Sequence, residues 1–281
     1  MAGIWRGQLL KKTAAYCVLA FFAVYVAIPL YWMIIGSLQT QAEMLSAHPR
    51  LVPSRLIIDN YVGLFQTTKV LVWFANSLII SAGSIAVGLF ISTLTGFLFC
   101  TYNFRFKNFF FWLILASVTI PEIVLIIPTY RILIDVKMIN TYFALILPYA
   151  MSVFGIFFMK QFMQVAVPRE LIESARVEGA GEFFIYRRIA LPLSVTGIGV
   201  LSVYLWLNSW INYFWPLIMI RSSELFTLPL GLATLYADTF NADYGQLLAG
   251  SVIATIPLIV LFLFIQDSFV AGMTAGAVKD S

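Results

Sequence analysis

Long apolar runs, continuous rather than alternating, organise this chain: residues 13–35, 71–99, 109–127, 142–162, 193–220 and 247–265. A bilayer core takes about 20 consecutive apolar residues as helix, so each run predicts one transmembrane helix, six in all. A barrel would need short segments alternating with period two, and none is present. The second and fifth runs exceed one crossing and carry Gly83, Gly88 and Asn208, which predicts tilt or extension beyond the hydrocarbon. The first is approached by Arg6, Lys11 and Lys12 like a signal peptide. It is too long for a signal core and ends in "IPLYWMIIGS" without a small-residue cleavage pattern, so it is expected to stay as an anchor.

Composition supports the pattern, because 61% hydrophobic and 11% charged residues lie far from the roughly 45–50% and 25% of soluble domains. The expected fold class is an all-α membrane protein forming a single transmembrane domain over residues 1–281. Cys17 and Cys100 are distant in sequence and lie in or beside apolar runs, so no disulfide framework is expected. The formal charge of +4 is scattered through short connections rather than gathered on one face, which argues against nucleic acid. Alternate sides hold eleven and six Lys and Arg. The richer side carries both termini and the segment between runs four and five, and short cytoplasmic loops hold the excess. Both termini and that segment are therefore expected in the cytoplasm. Outside would lie a segment with Pro49 and Pro53, a link near Asp135 and a loop over about residues 221–246.

The segment 164–192 stands out by its charge. It holds four acids, Glu170, Glu173, Glu178 and Glu182, and the bases Arg169, Arg176, Arg187 and Arg188. Pro168 suits a first helical position, Glu170 suits the first turn, and Arg169–Glu173 and Glu173–Arg176 are spaced to pair along one face. Gly179-Ala180-Gly181 predicts a helix stop and turn. A second helix over Glu182–Ile189 follows, with Phe183, Phe184 and Ile185 available for burial, and Pro192 leads into run five. A helix resting on anionic lipid would be enriched in Lys and Arg. This stretch is charge-balanced, which fits a protein partner better.

No catalytic constellation is present. The chain has no Gly-Lys pair for a phosphate-binding loop, its single histidine, His48, is read as a solvated loop residue and excludes a zinc protease, and no G-x-S-x-G elbow occurs. Metal ligation and catalysis are not expected. A secondary transporter or channel would bury ionisable residues along its path. Glu122 is the main candidate; Asp267 falls at the end of run six. Asn208 and Asn212 are four residues apart and are expected to share one helix face. With Trp206, Trp210, Tyr213 and Trp215 near them, they could line a path for sugar hydroxyls and pyranose faces, or pack helices within an aromatic belt.

The spacing of Glu173-Ser174-Ala175, Gly179 and Ile189-x-Leu191-Pro192 resembles the cytoplasmic-loop motif of the inner-membrane permease subunits of ATP-binding-cassette importers. The likeness is to the carbohydrate-uptake, maltose-type branch. Ser174 replaces an alanine and Glu178 stands where the family usually has Asp. "NYVGLF", "FANSLIIS", "INTYFALILPYA", the stretch from Asn212 to Leu235 and the tail "SFVAGMTAGAVKD" extend the likeness, to the second permease half of sugar importers. It implies a coupling helix on an ATPase groove formed by Glu173, Ser174, Ala175, Glu178, Gly179, Ala180, Ile189, Leu191 and Pro192. It also implies a tail, 268–281, reaching the ATPases through Thr274, Gly276 and Lys279. Ala175 and Ala180 would keep the docking surface low. Read from the residues and not from the resemblance, Asn208, Asn212, Tyr213 and Glu122 are the candidate pathway residues, with an interfacial acid or one paired to a neighbouring subunit as the alternative for Glu122. The implied assembly is a heterodimer with a homologous permease in the bacterial inner membrane, two ATPase subunits and an extracytoplasmic solute-binding protein. ATP and Mg would sit on the ATPases, with no cofactor on this chain. The implied cargo is a sugar or oligosaccharide, with a polyol or glycerol phosphate as the alternative.

Overall fold

The computed structural model describes residues 2–46, 50–236 and 242–277, with side chains described between 12 and 264. In chain order the helices are α1 (Ala2–Gly36), α2 (Gln41–Met44), α3 (Asp59–Thr67), α4 (Val70–Thr101), α5 (Lys107–Ala116), α6 (Glu122–Asp135), α7 (Tyr142–Ala150) and α8 (Val153–Ala166). They continue with α9 (Arg169–Val177), α10 (Glu182–Ile185), α11 (Leu191–Leu193), α12 (Val195–Trp210), α13 (Phe214–Met219), α14 (Leu228–Thr234) and α15 (Tyr244–Ala277). No strand forms among the described residues.

Runs one, two and six are single helices, α1, α4 and α15. The other three are interrupted within the run, and up to six spans remain if each bent pair counts as one. In run three, Ile120 is extended (φ −83°, ψ 117°), as the residue before Pro121 must be to avoid the ring. The chain there turns through 104° into α6. In run four, α7 and α8 meet at 42°. Pro148 in α7 has no N–H for the carbonyl of Ala144, and that carbonyl accepts the Trp215 indole N–H at 2.8 Å instead. Run five stops at Trp210 and resumes as α13.

Backbone contacts group the chain into two compact units. The first joins residues up to Val70 with Leu232–Leu258. Here Asn60, in the "NYVGLF" stretch, donates to the carbonyls of Ser37 and Gln39, both at 2.9 Å. Gln41 ties this segment to the start of α15, donating to Ala242 O at 2.6 Å and accepting from Tyr244 N–H at 3.1 Å. The apolar side chains of α1 from Tyr16 to Tyr25 are exposed, as a helix facing lipid requires.

The second unit comprises Leu71–Gly231 and the chain from Ile259 onward. One of its cores gathers Phe97, Met159, Met163, Ile172, Ile185, Tyr186 and Leu201; the other gathers Ile80, Ile126, Leu145, Trp215 and Met219. Because lipid tails are as apolar as these cores, helices here are held by close packing and polar contacts rather than by escape from water. Gly96 supplies the first: a Cβ on it would lie 2.9 Å from the backbone nitrogen of Lys160. Ser81 and Ser209 supply the second, joining α4 to α12 at 2.9 Å. Asn76 is buried and fully used. Its amide donates to the carbonyls of Glu224 and Phe226 at 2.7 and 2.9 Å, and its oxygen accepts the Tyr142 hydroxyl at 2.7 Å.

Candidate functional site

The charged segment folds as a hooked element on the second unit. α9 buries Ile172 and exposes Leu171, Glu173, Ser174 and Val177. Pro168 caps this helix rather than opening it, with ψ at 134°. α9 closes in a Schellman turn, Gly179 N–H donating to Arg176 O at 3.0 Å and Ala180 N–H to Ala175 O at 2.9 Å. Gly179 sits at φ +82°, and nothing lies within 4 Å of where its Cβ would be. The glycine is thus required by the backbone conformation and not by crowding.

Glu173 makes no ion pair among the described residues, so neither expected pairing along α9 forms. Arg176 instead reaches across the turn to Glu182 in a bidentate contact, Nε to Oε1 at 2.8 Å and Nη2 to Oε2 at 3.2 Å. Its guanidinium also lies 5.5 Å from the centre of the Tyr102 ring. Bidentate geometry satisfies two donors at once, which a single contact along the helix cannot. Hydrogen bonds from Arg176 and then Tyr102 hold the Glu182 carboxyl below its ordinary range, and the same carboxylate pushes Arg176 up.

Beyond the turn, burial differs from the expectation. Ile185 and Tyr186 are buried, with the Tyr186 hydroxyl 2.7 Å from that of Thr93, while Phe183 and Phe184 are 67% and 55% exposed. Ala175, Ala180, Ile189 and Leu191 pack inward against the first core. The expected docking residues therefore divide: Glu173, Ser174, Glu178, Gly179 and Pro192 face outward, and the alanines, Ile189 and Leu191 anchor the element. Residues 186–190 widen into a π turn. Pro192 explains this, since it has no N–H for the carbonyl of Arg188 and its ring would clash with that carbonyl in an α-helix. The segment Glu182–Leu193 then meets α12 at 81° across Ser194.

A cleft of about 610 Å³ opens along the same unit, lined by Glu122, Thr129, Tyr149, Phe154, Tyr204, Asn208 and Asn212 among others. The two asparagines meet here although α12 ends between them, so they do not share a helix face. The Asn208 amide donates to Tyr204 O at 2.8 Å, and Asn212 Oδ1 accepts the Trp215 backbone N–H at 3.0 Å, capping the start of α13. That leaves Asn208 Oδ1 and Asn212 Nδ2 for other partners. Among the described residues, Glu122, just after the break at Pro121, makes no ion pair, and none lining the cleft is Lys, Arg or His. The Tyr149 hydroxyl is buried without a partner.

The aromatic walls are Phe154 and Tyr204, ring centres 4.4 Å apart. Of the rings the sequence offered, only Trp215 lines the cleft; Trp210 is buried against Phe74, and Tyr213 faces elsewhere. Tyr204 was findable as the residue one turn before Asn208. Tyr149 and Phe154 come from another run and carry no signal in the sequence. Cys17 and Cys100 are free thiols. No metal-binding group of three or more acidic, His or Cys side chains occurs among the described residues. Lys279 and His48 lie outside the described residues, as do the side chains of Asp267 and Thr274, although the backbone at 267, 274 and 276 continues α15.

Residues 84–275 match the family model described as "Binding-protein-dependent transport system inner membrane component". The arabinooligosaccharides transport system permease protein AraQ of Halalkalibacterium halodurans is 37% identical, covering 95% of each chain. The sn-glycerol-3-phosphate transport system permease protein UgpE of Brucella abortus is 33% identical, over 92% of this chain and 94% of its own. A chain in the crystal structure of a bacterial ABC transporter that imports the acidic polysaccharide alginate superposes with a TM-score of 0.82 at 18% identity, covering 93% and 97% of the two chains. The fold agrees with this ancestry, and the chain belongs to the inner-membrane permease family of binding-protein-dependent transport systems.

Proposed function

We propose that this permease is one half of a heterodimeric translocation pathway for a neutral sugar or oligosaccharide. In this reading a solute-binding protein delivers the cargo on the extracytoplasmic side, and two ATPase subunits on the other side hydrolyse ATP with Mg. The observation that carries the proposal is the continuity between the exposed hook and the cleft. The outward face of the hook offers Leu171, Glu173, Val177, Phe183 and Phe184 to a partner, and its inward face is locked to the helices that wall the cleft. Closure of the ATPases moves the hook as a rigid body. The 81° junction passes that displacement to α12, which carries Asn208 and Tyr204, so the cleft alternates between two openings. The carboxy-terminal tail would be a second ATPase contact.

The cleft supports a sugar over the glycerol phosphate alternative. Asparagine amides, a tyrosine hydroxyl and ring faces suit hydroxyls and pyranose surfaces, whereas a phosphate would meet Glu122 and no cation. One experiment tests the coupling role. Val177→Glu and Phe184→Glu alter side chains that are 89% and 55% exposed and should leave the fold intact. The ATPase subunits should no longer co-purify with the variant permease. Undiminished co-purification together with full transport would reject the hook as the docking element.

A further inference from the structure

A second polar site lies away from the cleft, on the side that the Lys and Arg bias assigns to the cytoplasm. α5, α8 and the first residue of α9 enclose a pocket of about 180 Å³ lined by Lys107, Asn108, Phe111, Lys160, Gln164 and Arg169, among others. That volume would hold about six waters, enough for a phosphate group. Three cations line it and no carboxylate does; Glu173, one turn beyond Arg169, lines the neighbouring hollow instead. None of the three cations forms an ion pair among the described residues. Lys107 donates to Tyr102 O at 2.7 Å and Lys160 to Gln161 Oε1 at 3.0 Å. Lys160 Nζ also lies 5.0 Å from the centre of the Phe111 ring. All of these are contacts to neutral groups, which pair neither ammonium with an anion and leave further N–H groups free. Like charges gathered around one pocket repel unless an anion joins them.

The surroundings show where such an anion comes from. On the same short helix, Phe109, Trp112 and Leu113 are 62%, 68% and 56% exposed, and Phe111 packs against Phe99 at 5.3 Å between ring centres. A group bound among the cations therefore sits at the head of an outward apolar strip, the arrangement a phospholipid needs for headgroup and acyl chain together. The pocket and the cleft share no lining residue, so the site is separate from the cargo path.

We propose that Lys107, Lys160 and Arg169 form a phosphate-binding site that takes the headgroup of an anionic phospholipid of the cytoplasmic leaflet. Occupied, it ties α5, α8 and the start of α9 together at the root of the hook.

The test uses the transporter purified with its partner subunits. In mixed micelles with equal mole fractions of phosphatidylglycerol and phosphatidylcholine, native mass spectrometry reads which lipid stays bound. The wild type should retain phosphatidylglycerol preferentially. Lys107→Gln with Lys160→Gln should weaken that retention about thirtyfold, from the loss of two basic residues at a membrane surface, and Lys107→Arg with Lys160→Arg should keep it. A second arm titrates inorganic phosphate into lipid-free detergent and follows the unfolding midpoint. A phosphate-dependent rise that the double Gln variant lacks, without any lipid preference, assigns the same site to a soluble phosphate compound and overturns the lipid source. If the double variant does not assemble, Lys107→Gln and Lys160→Gln are read singly, each expected to lose about fivefold. Absence of both lipid preference and phosphate effect in the wild type overturns the site, as does their full persistence in the Gln variants.

Discussion

Gly179 lends itself to a substitution series because its structural requirement is separable from size. At φ +82° with open space around its Cβ position, any L side chain costs backbone strain and nothing else. For alanine the left-handed conformation costs about 1–2 kcal/mol, and less for asparagine, which tolerates it. At 1.4 kcal/mol per tenfold, Gly179→Ala should open the turn about five to thirty times more often, and Gly179→Asn distinctly less. The amides of Glu178, Gly179 and Ala180 report this directly, because each donates to a carbonyl of α9 in the closed turn. Hydrogen exchange at those amides, with co-purification of the ATPase beside it, should rank Gly above Asn above Ala. If asparagine proves as damaging as alanine or worse, the requirement is steric. The glycine would then be needed by the surface of a partner and not by its own φ, and the argument from backbone conformation would be refuted.

Three further outcomes are expected. The lowered carboxyl of Glu182 means the Arg176–Glu182 contact stabilises the hook above the ordinary value of 4.5, and this contribution fades as pH falls through the lowered value; Glu182→Gln should remove that acid dependence from exchange in the turn. The pair is partly solvent-exposed, so the effect should stay under about 1 kcal/mol. Asn212→Leu should impair transport and also cost about 0.5–2 kcal/mol from the lost cap on α13, while Asn212→Asp keeps the cap and isolates the transport defect; equal thermal stability of the two variants would contradict the capping role. Asn76→Leu removes the donors to the carbonyls of Glu224 and Phe226 and the acceptor of the Tyr142 hydroxyl, and at about 1–3 kcal/mol for each buried group left unsatisfied it should lower the unfolding midpoint well beyond an exposed Asn103→Leu control.

The sequence by itself determined the class and the punctuation of this protein. Continuous apolar runs have one stable solution in lipid, helices that satisfy their own backbone. Gly179 had to end α9, since a left-handed residue is cheap only there. The spacing from Glu173 to Pro192 marked the hook. Tertiary structure decided what each side chain does. Whether Ala175 faces a partner or the core, whether Arg176 pairs along its helix or across the turn, and why Phe183 stays exposed while Tyr186 is buried all depend on which neighbours are present. The breaks are intermediate: Pro121, Pro148 and Pro192 are visible as prolines, but a proline fixes only its own φ and a missing donor. The angle that follows, and the partner that takes the freed carbonyl, as Trp215 does at Ala144, are set by helices far away in sequence. The cleft is the clearest case. Glu122, Asn208 and Asn212 were legible as polar candidates, but Tyr149 and Phe154 join them only because two broken runs bend toward α12, and no local pattern encodes that meeting.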